Sequence, residues 1–212
     1  MKKGKYKQQV FINCPFDGKY TNIFRAIIFT ILDCGFVPRC SLEVSDATQV
    51  RLRAIIDLIE QCKYGIHDLS RVELDKESNL PRFNMPFESG VFYGAKYFGT
   101  GRQRNKNCII LERKRYRYQK FISDLSGIDI NDHNNQINRA VKLIRNWLAT
   151  SSMARLPEPQ HILLRYRKFN NAFRSACKKN KTDVDGMPFV DLTRNMSDWL
   201  KINQMHPPAP FL

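Results

Sequence analysis

Three acids stand where a chain leaves an apolar run. Asp17 follows Cys14-Pro15-Phe16, Asp68 closes Tyr64-Gly65-Ile66-His67, and Glu88 lies early in FNMPFESGVFYGAKYFG (83–99). On a helix at about 100° per residue, with Phe87 at zero, Glu88 falls at about 100°. Phe98, Val91, Ala95 and Phe92 share that arc, and Ser89, Tyr93 and Lys96 take the far side. The pattern predicts a carboxylate turned inward from a first helical turn, where the helix dipole favours negative charge. Such an acid either completes a cap or, in an apolar-walled cleft, stabilises or attacks a sugar oxocarbenium ion. Asp17 and Asp68 divide in the same way, between Asx turns or caps and groups that hold a base or a ribose hydroxyl. His67 reads as a core histidine, and Cys14 has no base beside it to make it a nucleophile. Gly90 and Gly94 leave one stripe of the helix bare, which predicts a close neighbour there.

These residues need a frame, and the first 110 positions supply one by alternating short apolar runs with helical periodicity, the mark of βαβ units on a parallel sheet. Val10 to Asn13, Phe36 to Cys40, Tyr64 to Asp68 and Asn107 to Glu112 read as strands, with a weaker fifth near Ile128 to Ile130. Thr21 to Asp33 reads as a helix with Gly35 as its C-cap. A second helix, capped by Ser45-Asp46, carries Leu52, Ile55, Ile56 and Ile59. Asn84 to Phe98 forms a third, entered through Pro86, and Gln136 to Leu148 a fourth. The expected fold is α/β, a flavodoxin-like parallel sheet of about five strands over residues 8–150 with helices on both faces. Residues 153–159 break the pattern, and 157–205 form a helical appendage with Ile162, Tyr166, Phe169, Phe173 and Cys177 on one face. A two-helix unit cannot bury that stripe against itself. It is expected to pack on the sheet or on a second subunit, with a homo-oligomer preferred. The tail His206-Pro207-Pro208-Ala209-Pro210 cannot continue a helix.

Ligands of an open parallel sheet bind beyond the strand carboxyl ends. That rule gathers Asn13, Pro15, Phe16, Asp17, Arg39, Asp68, Asn84 and Glu88 around one cleft, with Arg39 placed to meet a phosphate. Gly-x-Gly-x-x-Gly, the Walker A pattern and Gly-x-Ser-x-Gly are all absent from the sequence, which removes the main support for a Rossmann dehydrogenase, a P-loop NTPase or a serine hydrolase. Six scattered cysteines without Cys-x-x-Cys argue against zinc and for free thiols in a cytoplasmic protein. At 42% hydrophobic and 26% charged residues, the chain can fold around a core, and its longest apolar runs are too short to span a bilayer.

The net charge of +15 is uneven: residues 1–100 carry 14 Lys/Arg against 11 Asp/Glu, and residues 101–212 carry 21 against 9. The stretch 101–120 holds eight basic residues and one acid and interleaves Arg with Tyr. It reads as a solvated basic loop, as a nucleotide or partner contact, or, less favoured, as a nucleic-acid surface.

The segments VFINCPFD (10–17), GIHDLS (65–70) and Phe87-Glu88-Ser89-Gly90 resemble the nucleoside 2-deoxyribosyltransferase-like and TIR-like superfamily over about residues 8–150. Ser89 stands where a larger aliphatic is common, and the loop 71–82 is longer and more charged. The resemblance implies an N-glycosidic-bond-cleaving enzyme acting on NAD or a related nucleotide, in bacterial defence or signalling. It implies that Glu88 acts at the anomeric carbon, that Asp68 helps hold the nucleoside and that Pro15 to Asp17 touch ligand. It also implies subunits that complete one another's sites. NAD would be substrate, with no separate cofactor or metal. The rival is a non-catalytic nucleotide-binding or interaction module using the same cleft.

Overall fold

A computed structural model of the chain describes residues 5–44, 46, 48–74 and 79–203. They form five strands, β1 (Gln9–Asn13), β2 (Val37–Arg39), β3 (Tyr64–Asp68), β4 (Asn107–Glu112) and β5 (Ile130–Asp132). The helices are α1 (Thr21–Asp33), α2 (Arg51–Gln61), α3 (Asn84–Tyr97), α4 (Ile137–Ser152), α5 (Pro159–Lys179) and α6 (Phe189–Ile202). The sheet is wholly parallel, in the order β2-β1-β3-β4-β5, so the fold is flavodoxin-like α/β. The direction of winding reverses between β1 and β3, which puts the ligand edge beyond Asn13 and Asp68.

Alternation along the strands sorts side chains to the two faces. Val10, Ile12, Tyr64, Ile66, Ile109 and Leu111 join α1 and α4 in the large core. Phe11 and Phe92 join α2 and α3 in a smaller one. At Gly65 only a hydrogen fits, because a Cβ there would lie 2.8 Å from the Phe92 ring. That missing side chain seats α3 on the sheet. Gly35, at φ +79°, ends α1 as expected: its N–H reaches Leu32 O at 2.9 Å and that of Phe36 reaches Ile31 O at 2.9 Å.

Several boundaries differ from expectation: β5 runs over Ile130–Asp132 rather than Ile128 to Ile130, and α4 extends to Ser152. Strand β2 keeps only three residues at the sheet edge, where Pro38 is tolerated. Helix α2 starts at Arg51 without a side-chain cap. Ser45 lies outside the described residues, and Asp46 closes a local turn by accepting from the Thr48 N–H (2.9 Å) and hydroxyl (2.7 Å). The proline-rich tail from residue 204 onward also lies outside them.

The stripe on α5 is buried inside the chain. Phe29 of α1 meets Tyr166, Phe169 and Trp199 at centroid separations of 5.4, 5.6 and 6.1 Å. Arg165 pairs with Asp33 at 2.6 Å, and Arg25 donates to Val184 O at 2.5 Å. Helices α5 and α6 therefore form an extra layer over α1 and α4 and share their core. The homo-oligomer expected from this stripe loses its basis. Among the described residues no helix is long and apolar enough to cross a membrane. All six cysteines are free, and all but Cys108 are buried.

Candidate functional site

A cleft of about 840 Å³ opens at the carboxyl edge of the sheet. The β1 exit, residues 13–19, forms one wall, Met85 and Glu88 on the first turns of α3 form the floor, and the segment after β3 forms the other wall. Asn13, Pro15, Phe16, Asp17, Asn84 and Glu88 all line it.

Arg39 and Asp68 lie outside the lining. Arg39 is held by Glu43 at 2.7 Å and by the Gln9 side chain, because β2 is an edge strand and its end turns toward α2. Asp68, 0% exposed, accepts from the Tyr20 hydroxyl, from Ser70 N–H at 2.9 Å and from His133 Nε2 at 2.9 Å. His133 Nδ1 accepts the Asn135 N–H at 3.0 Å, so Nε2 carries the ring's hydrogen. Burial works to raise the Asp68 carboxyl, but the bonds from His133, Ser70 and Tyr20 hold it below the usual range. Asp68 thus ties the end of β3 to α1 and to the exit of β5, the turn-and-cap role rather than ligand contact.

Asn13 works from beneath. Its Nδ2 donates to Met85 O at 2.7 Å and lies 3.2 Å from His67 Nδ1, which fixes the first turn of α3 to the end of β1. His67 is fully buried, its Nε2 has no partner among the described residues, and burial pushes its pKa down to about 3. It is a neutral core histidine. Cys14 is buried too; burial, with Asp68 nearby, pushes its thiol up, away from nucleophilic range.

Glu88 is 9% exposed and makes no hydrogen bond or ion pair among the described residues. Burial raises its pKa to about 7, against a smaller opposing pull from Arg51. Its inward face is shared with Met85, Ser89 and Phe92. Phe87 and Phe98, expected inside, are exposed, and Ser89, expected outside, is buried. The stripe at Gly90 and Gly94 meets nothing within 4 Å of an added Cβ, so the close neighbour expected there is absent among the described residues.

Cations surround this acid. Lys19, Arg51, Arg71, Arg82 and Arg113 line the cleft, against Asp17 and Glu73. Arg71 forks onto Asp17 at 2.8 and 3.1 Å, and Arg113 meets Glu73 at 2.6 Å. Partial burial works to raise both acids, but Arg71 and the Lys19 and Tyr20 N–H groups hold Asp17 below the usual range, and Glu73's own backbone with Arg113, Arg117 and Arg71 does the same for Glu73. Lys19, Arg51 and Arg82 make no ion pair among the described residues. The starts of α1, α2 and α3 reach the same cleft through Lys19, Arg51 and Asn84, and helix N-termini favour anions. Phe16 packs edge-on against Phe24 at 5.2 Å, and Phe24 stacks on Phe189 of α6 at 6.1 Å. Helix α6 therefore backs an aromatic wall on which a base can stack.

The basic stretch 101–120 is not one surface. Strand β4 runs through its middle and parts Arg102 and Arg104 from Arg113 to Lys120 by about 20 Å. Lys106 is buried, its ammonium donating at 2.5 Å to Ile59 O and Cys62 O at the end of α2. Arg117 grips Glu112 at 2.8 Å and Ser70 O at 2.7 Å. Sequence patterning missed Arg51 because the start of α2 was set too early. It assigned Arg113 to a patch, although its place just after β4 is a ligand-edge signal. Arg71 and Arg82 sit in the loop whose length and charge depart from the family pattern, a departure that does not by itself place either residue at the cleft.

Comparison of the chain with protein-family models, with curated proteins and with solved structures finds no match.

Proposed function

We propose that the cleft binds a phosphate-bearing nucleotide and that Glu88 promotes cleavage of its N-glycosidic bond, with NAD the preferred substrate. The observation that carries this reading is Glu88 itself: a nearly buried carboxylate without a partner among the described residues, on the floor of a cleft ringed by cations. The cations suit a pyrophosphate, Phe16 suits a base, and the resemblance of residues 10–17, 65–70 and 87–90 to ribosyl-transferring enzymes points the same way.

In the proposed step the bond from the anomeric carbon to the pyridinium nitrogen breaks and its electron pair goes to that nitrogen. Nicotinamide then leaves neutral. The positive charge left on the ribosyl group faces the Glu88 carboxylate, and water adds at the same carbon and gives up a proton to solvent. A neutral purine would need protonation to leave. Asp17 and Glu73 are too acidic to supply that proton at neutral pH, Cys14 is too weak an acid, and Glu88, near 7, can carry the proton only by giving up the negative charge that the ribosyl cation needs. The site therefore favours a substrate whose base is already cationic.

The test is a panel of NAD, NADH and neutral nucleosides, with release of free base followed in each. NAD alone should be turned over. Tight binding of NAD with no base released would instead assign the cleft to the non-catalytic nucleotide-binding class, and release from nucleosides but not from NAD would overturn the choice of substrate.

A further inference from the structure

Helix α3 has a second face, turned away from the cleft, that nothing in the chain covers among the described residues. Phe83, Phe87, Tyr97 and Phe98 are 63%, 56%, 66% and 91% exposed. At about 100° per residue they share one side of the helix with Gly90 and Gly94. An added Cβ at either glycine meets nothing within 4 Å, so the middle of this face is a shallow trough with aromatic rings at both ends.

We infer that a second copy of the chain docks here, α3 against α3 about a two-fold axis between Gly90 and Gly94. Three observations favour that occupant. The first is shape. Run antiparallel, the rings at each end of one helix meet the rings at the opposite end of the other, while the bare glycines let the backbones close; a two-fold interface needs such self-complementarity. The second is charge. The chain carries +15, so two copies repel over most of their surfaces, yet the six positions of this stripe are uncharged; cations stand toward its ends, Arg82 beside Phe83, Lys96 over the Tyr97 ring at 5.7 Å and Arg104 on Gly99 O at 3.2 Å. The third is area. Aromatic side chains of about 200 Å² each, exposed to these extents, offer roughly 550 Å², most of the ~800 Å² per partner in a standard interface. The layers agree with this placement: α1 and α4 are roofed by α5 and α6, whereas α3 leaves this face uncovered among the described residues. The inference does not depend on what the cleft does.

Sedimentation velocity of the full chain from about 1 to about 200 µM tests it, beside Phe87→Glu and Gly94→Glu. The expected result is a wild-type dimer that tightens as salt screens the net charge. Each variant, with an unchanged circular-dichroism spectrum, should associate at least 100-fold more weakly, because a charge in the seam is buried twice. Gly94→Glu has open space in the single chain, so a misfolded Phe87→Glu would leave the test standing. A wild-type monomer throughout overturns the inference, and so does a dimer that both variants preserve. If the wild type is a monomer that begins to self-associate only when residues 204–212 are deleted, the face belongs to that tail and the inference is likewise overturned.

Discussion

Burial raises Glu88 to about 7 from the ordinary 4.5, and this acts on stability and on rate in opposite senses. The folded chain keeps the Glu88 proton over a range where the unfolded chain has lost it. The stability it contributes is therefore full below about pH 4.5 and falls as pH rises to about 7. The full shift corresponds to about 3 kcal/mol, which solvent in the cleft reduces to about 1–2 kcal/mol. Glu88→Gln carries no charge at any pH. Its Tm should exceed the wild type's by about 3–6 °C at about pH 8 and match it near pH 5; a scan at both pH values checks this. The proposed step needs the ionised form, so kcat/KM for NAD should fall about tenfold per unit below about pH 7. Arg51 is the charge that pulls this value down, and Arg51→Ala should move the acid limb of the pH–rate profile to higher pH. Under the proposed function Arg82→Ala, which removes a cleft cation without an ion pair among the described residues, should weaken nucleotide affinity about 10–100-fold by titration calorimetry.

At the scale of elements, α1, β3 and β4 were legible to the residue because each is bounded by turn chemistry and fully patterned: Gly35 stops α1, and the Asp68 turn stops β3. Helix α3 was legible as a helix but not in its orientation. Apolar residues surround it on nearly all sides, so periodicity cannot choose the inner face. Tertiary fit chooses it, through Phe92 entering the space left by Gly65 and Met85 O held by Asn13. Glu88 still turned inward because it lies on the edge shared by both choices of face. The cationic walls were the least legible part, since Arg51, Arg71, Arg82 and Arg113 come from three separate connections that only the folded sheet edge brings together. The α5 layer makes its own prediction. Phe169→Ala empties a site walled by Phe29, Phe173 and Trp199 and should cost about 3–5 kcal/mol, read as a lower denaturation midpoint with an unchanged sedimentation coefficient for the folded fraction.

For the whole molecule, positive charge has separate tasks. Lys106 and Arg117 hold backbone carbonyls inside the fold, Arg25 and Arg165 fasten the C-terminal layer, and Lys19, Arg51 and Arg82 line the cleft without an ion pair among the described residues. Parallel comparison of wild type and Glu88→Gln for binding of NAD and for release of nicotinamide at about pH 8 joins these scales in one measurement. A lost electrostatic contact to the developing cation predicts turnover reduced by about 10²–10³ with affinity changed no more than severalfold. Wild-type turnover retained in Glu88→Gln would contradict the assignment of Glu88 and with it the proposed chemistry of the cleft.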